Sequence, residues 1–289
     1  MNKISVVIPT YNRLNTLKLV LTSYLNQKFV HEIIVIDDFS SDGTSRFIKE
    51  IAAGNNKLKY YRNKRNMGAP YSRNRAISLS TGNLIYMGED DLELTDNYFD
   101  KIINHMVKSG ADVIAGRRIW MQFNESKEQS LYRANKVTDS PVNRKILLTN
   151  CEVDFKKDTE LPLVDASMLI NKKVFSTVRY DEFYSKNAWR EETDFQISAL
   201  ERGFKIMFCP HVISYHLYKE RNTGGNHSHS IYIYELRIFL NNMYMVKKHW
   251  KYLNKEFGIN WLIYIRFLYY RISRIVFSKL VFFKKTLVG

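Results

Sequence analysis

The chain has 289 residues, 45% of them hydrophobic and 14% aromatic, with a formal net charge of +15. That apolar content can fill a substantial core and excludes a disordered chain. The charge asks for an anionic partner (nucleic acid, a phosphorylated ligand or an anionic membrane surface), and no uncharged apolar run of 18 residues predicts a transmembrane helix.

From the amino terminus, Ile4 to Pro9 is a β-rich run closed by Pro9, and Asn12 is the expected N-cap of a helix carrying Leu14, Leu17, Leu21 and Leu25. A second strand, Glu32 to Asp37, ends in Asp37-Asp38. Ser40-Ser41-Asp42-Gly43-Thr44 then has turn and cap chemistry before a helix to about Ala53. Leu58 to Arg62 is a third strand, and Asn66-Met67-Gly68-Ala69-Pro70 turns into a helix with Arg73, Asn74 and Arg75. Leu84-Ile85-Tyr86-Met87 is a fourth, ending in Glu89-Asp90-Asp91. Strands alternating with helices predict βαβ units on a mostly parallel sheet covered on both faces, with ligands at the carboxyl ends of the strands. Those ends carry Thr10, Tyr11 and Arg13, then Asp37-Asp38, then the three acids. Crowded carboxylates are offset by a cation or belong to a solvated turn opening a helix; both readings stand at this point.

Beyond Ala111–Gly116, another expected strand, Gln122 to Thr138 reads as a polar loop. A strand within Leu161–Ile170 follows, then a helix opening at Trp189-Arg190-Glu191-Glu192-Thr193-Asp194 and closing at Gly203, and a short strand from Phe204 to Cys209. His216 to Asn226 reads as a polar loop, its Gly224-Gly225 pair suited to folding over a ligand. His227 and His229 lack the further ligands a zinc site needs. Cys151 and Cys209 match no metal or redox spacing and are expected as buried small apolar residues. Neither Gly-x-Gly-x-x-Gly nor a Gly-Lys-Ser/Thr phosphate loop is present, which argues against dinucleotide redox chemistry and P-loop hydrolysis. With no signal peptide ahead of the first strand, the expected location is the cytosolic side.

Taken in order, Pro9-Thr10-Tyr11-Asn12-Arg13, Asp37-Asp38 with Ser40 to Thr44, Asn66-Met67-Gly68 with Arg73-Asn74, Glu89-Asp90-Asp91 and Glu191-Glu192-Thr193-Asp194 resemble the signatures of family 2 glycosyltransferases over about residues 3–220. The resemblance implies the GT-A fold, a nucleotide-sugar donor (a UDP-sugar), a glycan or lipid-linked acceptor, Mg2+ or Mn2+, and inverting transfer. It implies Asp91 as metal ligand with His216, and Glu89 and Asp90 beside the donor. Asp38 would accept from the base, Thr10, Tyr11, Arg13 and Arg73 would touch nucleoside or diphosphate, and Glu192 would be the catalytic base with Glu191 positioning the site. Turn capping remains the alternative for Asp37 and Asp38, a solvated helix charge for Arg73, a structural role for His216, and helix-start decoration for Glu191, Glu192 and Asp194. Two departures stand out: Phe39 occupies a position commonly held by Gly, and Glu89 replaces the first Asp of the metal motif.

These motifs divide the chain into an expected catalytic domain, 1–230 (nucleotide-binding half 1–110, acceptor-side half 111–230), and a basic amphipathic helical tail, 231–289. The tail holds eleven Lys/Arg against two Glu. Leu262, Ile265, Tyr269, Ile272, Val276, Leu280 and Phe283 recur at steps of three and four and are avoided by Arg266, Arg271, Arg274, Lys279, Lys284 and Lys285. That pattern fits an interfacial helix on an anionic membrane, placing the protein peripherally on the inner face of the cell membrane, or a helix docked on the catalytic domain or a second subunit. A nucleic-acid-binding protein using the basic helices is the alternative from another class; it leaves the ordered acids unexplained. A nucleotidyltransferase would bring a glycine-rich basic loop where Pro9-Thr10-Tyr11-Asn12 stands, and a glycosidase would leave the nucleotide motifs idle.

Overall fold

The structure, a computed structural model, describes residues 2–218 and 231–287, with side chains described for 2–218 and 232–274. The elements are β1 (Ile4–Thr10), α1 (Leu14–Leu25), β2 (Val30–Asp37), α2 (Thr44–Ala53), β3 (Leu58–Arg62), α3 (Ala69–Leu79), β4 (Leu84–Met87), β5 (Leu92–Leu94) and α4 (Tyr98–Ser109). They continue with β6 (Val113–Trp120), α5 (Lys127–Ala134), β7 (Val142–Asn143), β8 (Leu148–Thr149), β9 (Thr159–Glu160), β10 (Met168–Asn171), α6 (Glu191–Leu200), β11 (Ile206–His216), α7 (Ile231–Lys248), α8 (Trp250–Phe257) and α9 (Leu262–Leu287).

Among the described residues nine strands form one sheet, ordered β3-β2-β1-β4-β10-β6-β11-β5, with β9 also on β11. β3, β2, β1 and β4 pair in parallel, and β10 runs antiparallel between β4 and β6. β11 is parallel to β6 and pairs antiparallel with β5 and β9. Six strands therefore point the same way and bring their carboxyl ends to one edge, the mostly parallel sheet that the alternating elements predict.

The period-2 alternation of β1 separates the two layers. Ile4, Val6 and Ile8 face Leu17 and Leu21 of α1, Ile48 of α2 and Phe99 of α4, while Val7 faces Ala76 and Ile77 of α3 and Phe195 of α6. Both sides of the sheet are covered. Each such buried aliphatic contributes about 1.5–3 kcal/mol relative to exposure, so the layers rather than local propensity hold the helices.

Several expected boundaries shift for identifiable reasons. Residues 127–134 are helical, not loop: Ser126 and Gln129 close a capping box that outweighs the polar composition. Asn12 is not an N-cap; it takes a left-handed backbone (φ 52°), and its Oδ1 accepts from Ser41 N at 2.8 Å. Asp42, from the neighbouring loop, accepts from Leu14 N at 2.8 Å and from Thr44 N at 3.1 Å, so one carboxylate serves the starts of α1 and α2. The strand expected within Leu161–Ile170 is confined to β10. β6 and β11 run past Gly116 and Cys209 to Trp120 and His216, β11 crossing Pro210 through a register shift.

The carboxyl-terminal helices pack against residues 142–197. Met245, Val246, Leu253, Ile259 and Ile263 share a buried cluster with Leu147, Leu163, Tyr184 and Ile197, and Ile238 and Phe267 cluster with Ile146. Arg271 of α9 donates to both carboxylate oxygens of Glu235 on α7, at 2.8 and 2.5 Å. Within the stripe expected on α9, Leu262 is half-buried and Ile265, Tyr269 and Ile272 are exposed; the neighbouring strip of Ile263 and Phe267 makes the contact. Val276, Lys279, Leu280, Phe283, Lys284 and Lys285 lie outside the described side chains, as Gly224-Gly225, His227 and His229 lie outside the described residues. Among those described, no helix is long and apolar enough to cross a membrane.

Candidate active site

A cavity of about 880 Å³ opens at the carboxyl edge of the sheet and is lined by every site residue expected from the sequence. Thr10, Tyr11 and Arg13 come from the end of β1, Asp38 from β2, Arg73 from α3, and Glu89, Asp90 and Asp91 from β4. Glu191 and Glu192 come from the start of α6, and His216 from the end of β11. Residues 206 apart in the chain meet because the strand directions agree.

Asp38 is held rigidly. Its carboxylate accepts from Met67 N and Gly68 N at 2.8 Å each and from Asn63 Nδ2 at 2.7 Å. Gly68 is the residue this corner requires: its φ is +87°, and a Cβ there would stand 2.3 Å from the Ser185 carbonyl oxygen. Asp37 instead ties the turn, accepting from Ser40 N and Tyr60 Oη. Phe39, in the position where Gly is common, takes φ 73° and carries the Arg62 guanidinium 5.0 Å above its ring.

The acids after β4 are split between two arginines. Arg13 Nη1 bonds Asp91 Oδ2 at 2.6 Å and lies 3.8 Å from Asp90 Oδ1. Arg118 Nη2 donates to Glu89 Oε1 and Ser167 Oγ at 2.7 Å each and forms an ion pair with Asp165 Oδ1, also at 2.7 Å. Burial alone would raise Glu89, but the Arg118 guanidinium outweighs it and holds Glu89 below its ordinary value. Burial pushes Asp165, sharing the same arginine, up to about 6. Arg118 and Asp165 were not among the expected site residues. The available signal was the Arg117-Arg118 pair, both buried, in the second half of β6, which lies beyond the strand end expected at Gly116.

His216 Nδ1 sits 3.1 Å from the Leu217 carbonyl oxygen, which can only accept, so Nδ1 carries the proton. Its Nε2 faces Asp91 Oδ1 at 3.5 Å, and the Trp120 ring lies over the imidazole with centres 4.1 Å apart. Ligand atoms of Glu89, Asp91 and His216 all fall within 4.8 Å of one another. Two carboxylates and an imidazole oriented through its other nitrogen suit a small divalent cation such as Mn2+ or Mg2+.

Also lining the cavity, Arg73 Nε bonds Glu191 Oε1 at 3.1 Å, and its Nη2 lies 3.6 Å from Glu192 Oε1. The Glu191 side chain is fully buried, whereas that of Glu192 is 26% exposed. Burial pushes both carboxyl groups above their ordinary value, against the pull of Arg73. Thr10 Oγ1, Arg73 Nη1, Arg118 Nε and Glu191 Oε2 are buried with no hydrogen-bond partner among the described residues, and all four residues line the cavity. Asp194 does not cap α6. It is buried and bonded to Lys248 Nζ at 2.7 Å, His249 Nε2 at 3.0 Å and Tyr184 Oη at 3.1 Å.

The family model described as glycosyl transferase family 2 matches residues 5–179. Among curated proteins, the GalNAc(5)-diNAcBac-PP-undecaprenol beta-1,3-glucosyltransferase of Campylobacter jejuni is 30% identical over 213 residues, covering 71% of this chain and 65% of that protein. The UDP-Glc:alpha-D-GlcNAc-diphosphoundecaprenol beta-1,3-glucosyltransferase WfgD of Escherichia coli is 28% identical over 204 residues, covering 70% and 74%. The chain thus spans about two thirds to three quarters of these relatives. Among solved structures, GalNAc-T7 with UDP, GalNAc and Mn2+ superposes with a TM-score of 0.65 at 18% identity, covering 86% of this chain and 48% of that one, a likeness of fold.

Proposed function

The chain belongs to glycosyl transferase family 2, and from that premise we propose that it transfers a hexose, with inversion, from a UDP-sugar to a hydroxyl of a lipid-linked glycan or polysaccharide. The observation that carries this reading is the meeting of two sets of groups in one cavity. Glu89, Asp91 and His216 stand together on the strand ends, and Glu192 with Arg73 lines the same cavity from the helices. The names of the two bacterial relatives, both acting on undecaprenyl-diphosphate-linked acceptors, support the acceptor class.

In this reading Asp38, fixed by three donors, keeps lone-pair capacity for an N–H of the base, and Thr10 and Tyr11 flank the nucleoside. Arg13 neutralises Asp91 and Asp90 and contacts the diphosphate once the donor is in place. Asp91, His216 and Glu89 are the residues that would hold Mg2+ or Mn2+, which when bound would supply charge neutralisation for the leaving diphosphate. Arg73 keeps its Nη1 for the donor while its Nε is engaged by Glu191. Glu192, partly exposed and raised in basicity by burial, takes the proton from the attacking acceptor hydroxyl. That hydroxyl oxygen bonds the anomeric carbon from the face opposite the departing diphosphate, which inverts the centre.

A nucleic-acid-binding role finds no support: the cavity is lined by Glu89, Asp90, Asp91, Glu191 and Glu192, which repel phosphate unless a cation intervenes. The basic helices fit a membrane surface instead. Leu236, Leu240 and Met243 of α7 and Ile265, Leu268, Tyr269 and Ile272 of α9 are exposed, with Lys247, Lys251, Arg266 and Arg274 also exposed on these carboxyl-terminal helices. We place the protein on the inner face of the cell membrane, where a lipid-linked acceptor resides.

The test is a screen of UDP-glucose, UDP-GlcNAc and UDP-GalNAc with Mg2+ or Mn2+ against an undecaprenyl-diphosphate-linked acceptor, with the product anomer read by NMR. Metal-dependent transfer with inversion is expected. Retention of configuration, or turnover undiminished in excess chelator, would remove those parts of the reading.

A further inference from the structure

A second group of ligand-type side chains lies away from the cavity, on the face of the sheet covered by α4. His105 projects from α4, Asp158 immediately precedes β9, and Cys209 lies on β11 where the β9 pairing ends. Their ligand atoms lie within 4.8 Å of one another, and none of the three lines the active-site cavity. His105 Nδ1 and Asp158 Oδ2 are 2.5 Å apart, while Asp158 Oδ1 is buried with no hydrogen-bond partner among the described residues. His211 is exposed, with its ring centre 6.4 Å from that of His105.

We propose that His105, Asp158 and Cys209 bind a zinc ion that fastens the segment before β9 to α4 and β11. One nitrogen, one oxygen and one sulfur is a donor set that tetrahedral zinc accepts, with bonds of about 2.0–2.3 Å. Ligand atoms around such an ion stand about 3.3–3.8 Å apart, so closure takes shifts of about 1 Å from the separations present here. The ion replaces the proton in the His105–Asp158 hydrogen bond and uses the spare Asp158 oxygen. His211 marks the solvent side, where it or a water completes the coordination. Sequence spacing conceals the site, since successive ligands His105, Asp158 and Cys209 are separated by about fifty residues and come from three separate parts of the fold.

In the metal-free chain, burial and the neighbouring Asp158 push the Cys209 thiol up to about 12. A zinc-bound cysteine is a thiolate, so the thiol proton leaves as the metal binds. The role is structural, because the ligands anchor a peripheral segment and the thiol is buried.

The experiment uses the full chain carrying Asp91→Ala, so that the cavity's own metal ligands do not contribute. Titration with Co2+ alone should give a thiolate-to-cobalt charge-transfer band in the near ultraviolet. The band should disappear on adding Cys209→Ser, weaken with His105→Gln and persist with Cys151→Ser. Zinc should displace the cobalt and raise the melting temperature of the Asp91→Ala chain, while the Cys209→Ser form, shown to be folded by circular dichroism, should not respond. Absence of the band from the Asp91→Ala chain, its survival in Cys209→Ser, or equal zinc stabilisation of both forms would overturn the assignment.

Discussion

Glu192→Gln and Glu191→Gln, one residue apart, should fail in opposite ways. Glu192 is 26% exposed toward the cavity and stands 3.6 Å from Arg73, a separation worth at most about 1 kcal/mol to folding at a partly solvated site. Glutamine has the same shape and cannot take a proton. Removing a general base costs roughly 10²–10⁴ in rate, or about 3–5 kcal/mol of transition-state stabilisation. Glu191 is fully buried and bonded to Arg73, whose side chain is only 5% exposed. Neutralising it strands a buried guanidinium, at about 3–5 kcal/mol of stability. The assay pairs turnover at saturating donor with urea unfolding and a thermal shift on UDP and Mn2+. Glu192→Gln should keep stability and donor binding and lose turnover; Glu191→Gln should lose stability first. Because burial raises Glu192 and the base must be ionised, the acid limb of the wild-type rate profile should lie above the ordinary carboxylate value of about 4.3. Near-wild-type turnover by Glu192→Gln, with Glu191→Gln folded but inactive, would refute the assignment of the base.

Asp91→Ala should abolish metal-dependent binding of UDP, read as a thermal shift with and without Mn2+ on protein shown to be folded by circular dichroism, and should also lower stability because Arg13 loses its 2.6 Å partner; wild-type affinity would remove the metal assignment. Gly68→Ala should destabilise the chain by about 2–4 kcal/mol in urea unfolding, since φ is +87° and the new Cβ meets backbone of Ser185 at 2.3 Å. Burial alone would lower His249, but Asp194 and Glu201 raise it above its ordinary value. Its charge therefore stabilises the fold fully below about pH 6.5 and loses that contribution as pH rises through the higher folded value, a slope that Asp194→Asn should flatten in pH-dependent melting. Replacing Ile265, Leu268, Tyr269 and Ile272 by serine should reduce sedimentation with anionic vesicles without unfolding the protein, because these side chains are exposed; deleting the helix would also remove the buried Ile263 and Phe267.

The amino-terminal part of the site was legible because its side chains sit on short loops directly after strong strands. β1, β2 and β4 end beside Thr10, Asp38 and Glu89, and each strand is apolar enough to identify by pattern alone. The part of the site built from later residues was less so. Arg118 lies within a strand, and its meaning depends on Glu89 and Asp165, which are remote in sequence. Asp194 looked like a helix cap because local position favours acids in a first turn, yet Lys248 and His249, some fifty residues on, decide its role. α5 was hidden by its polar surface, although Ser126 and Gln129 carried its capping signature. The stripe on α9 was periodic as read, but periodicity could not say which face would be covered, and the adjacent strip of Ile263 and Phe267 is the one that docks.

The bond between Asp194 and the Lys248-His249 corner sets a distance as well as holding two parts together. Asp194 lies two residues after Glu192 on α6, about 3 Å along the helix axis. Through that corner, α7 and α8 are referenced to the same short rod that carries the proposed base. If α7 and α9 rest on a lipid surface, the height of Glu192 above that surface is a fixed dimension of the protein, like the reach of a gauge. An acceptor sugar joined to its lipid through a diphosphate would then be presented at one depth, and the length of that linkage, not only the identity of the sugar, would select which hydroxyl arrives at the base.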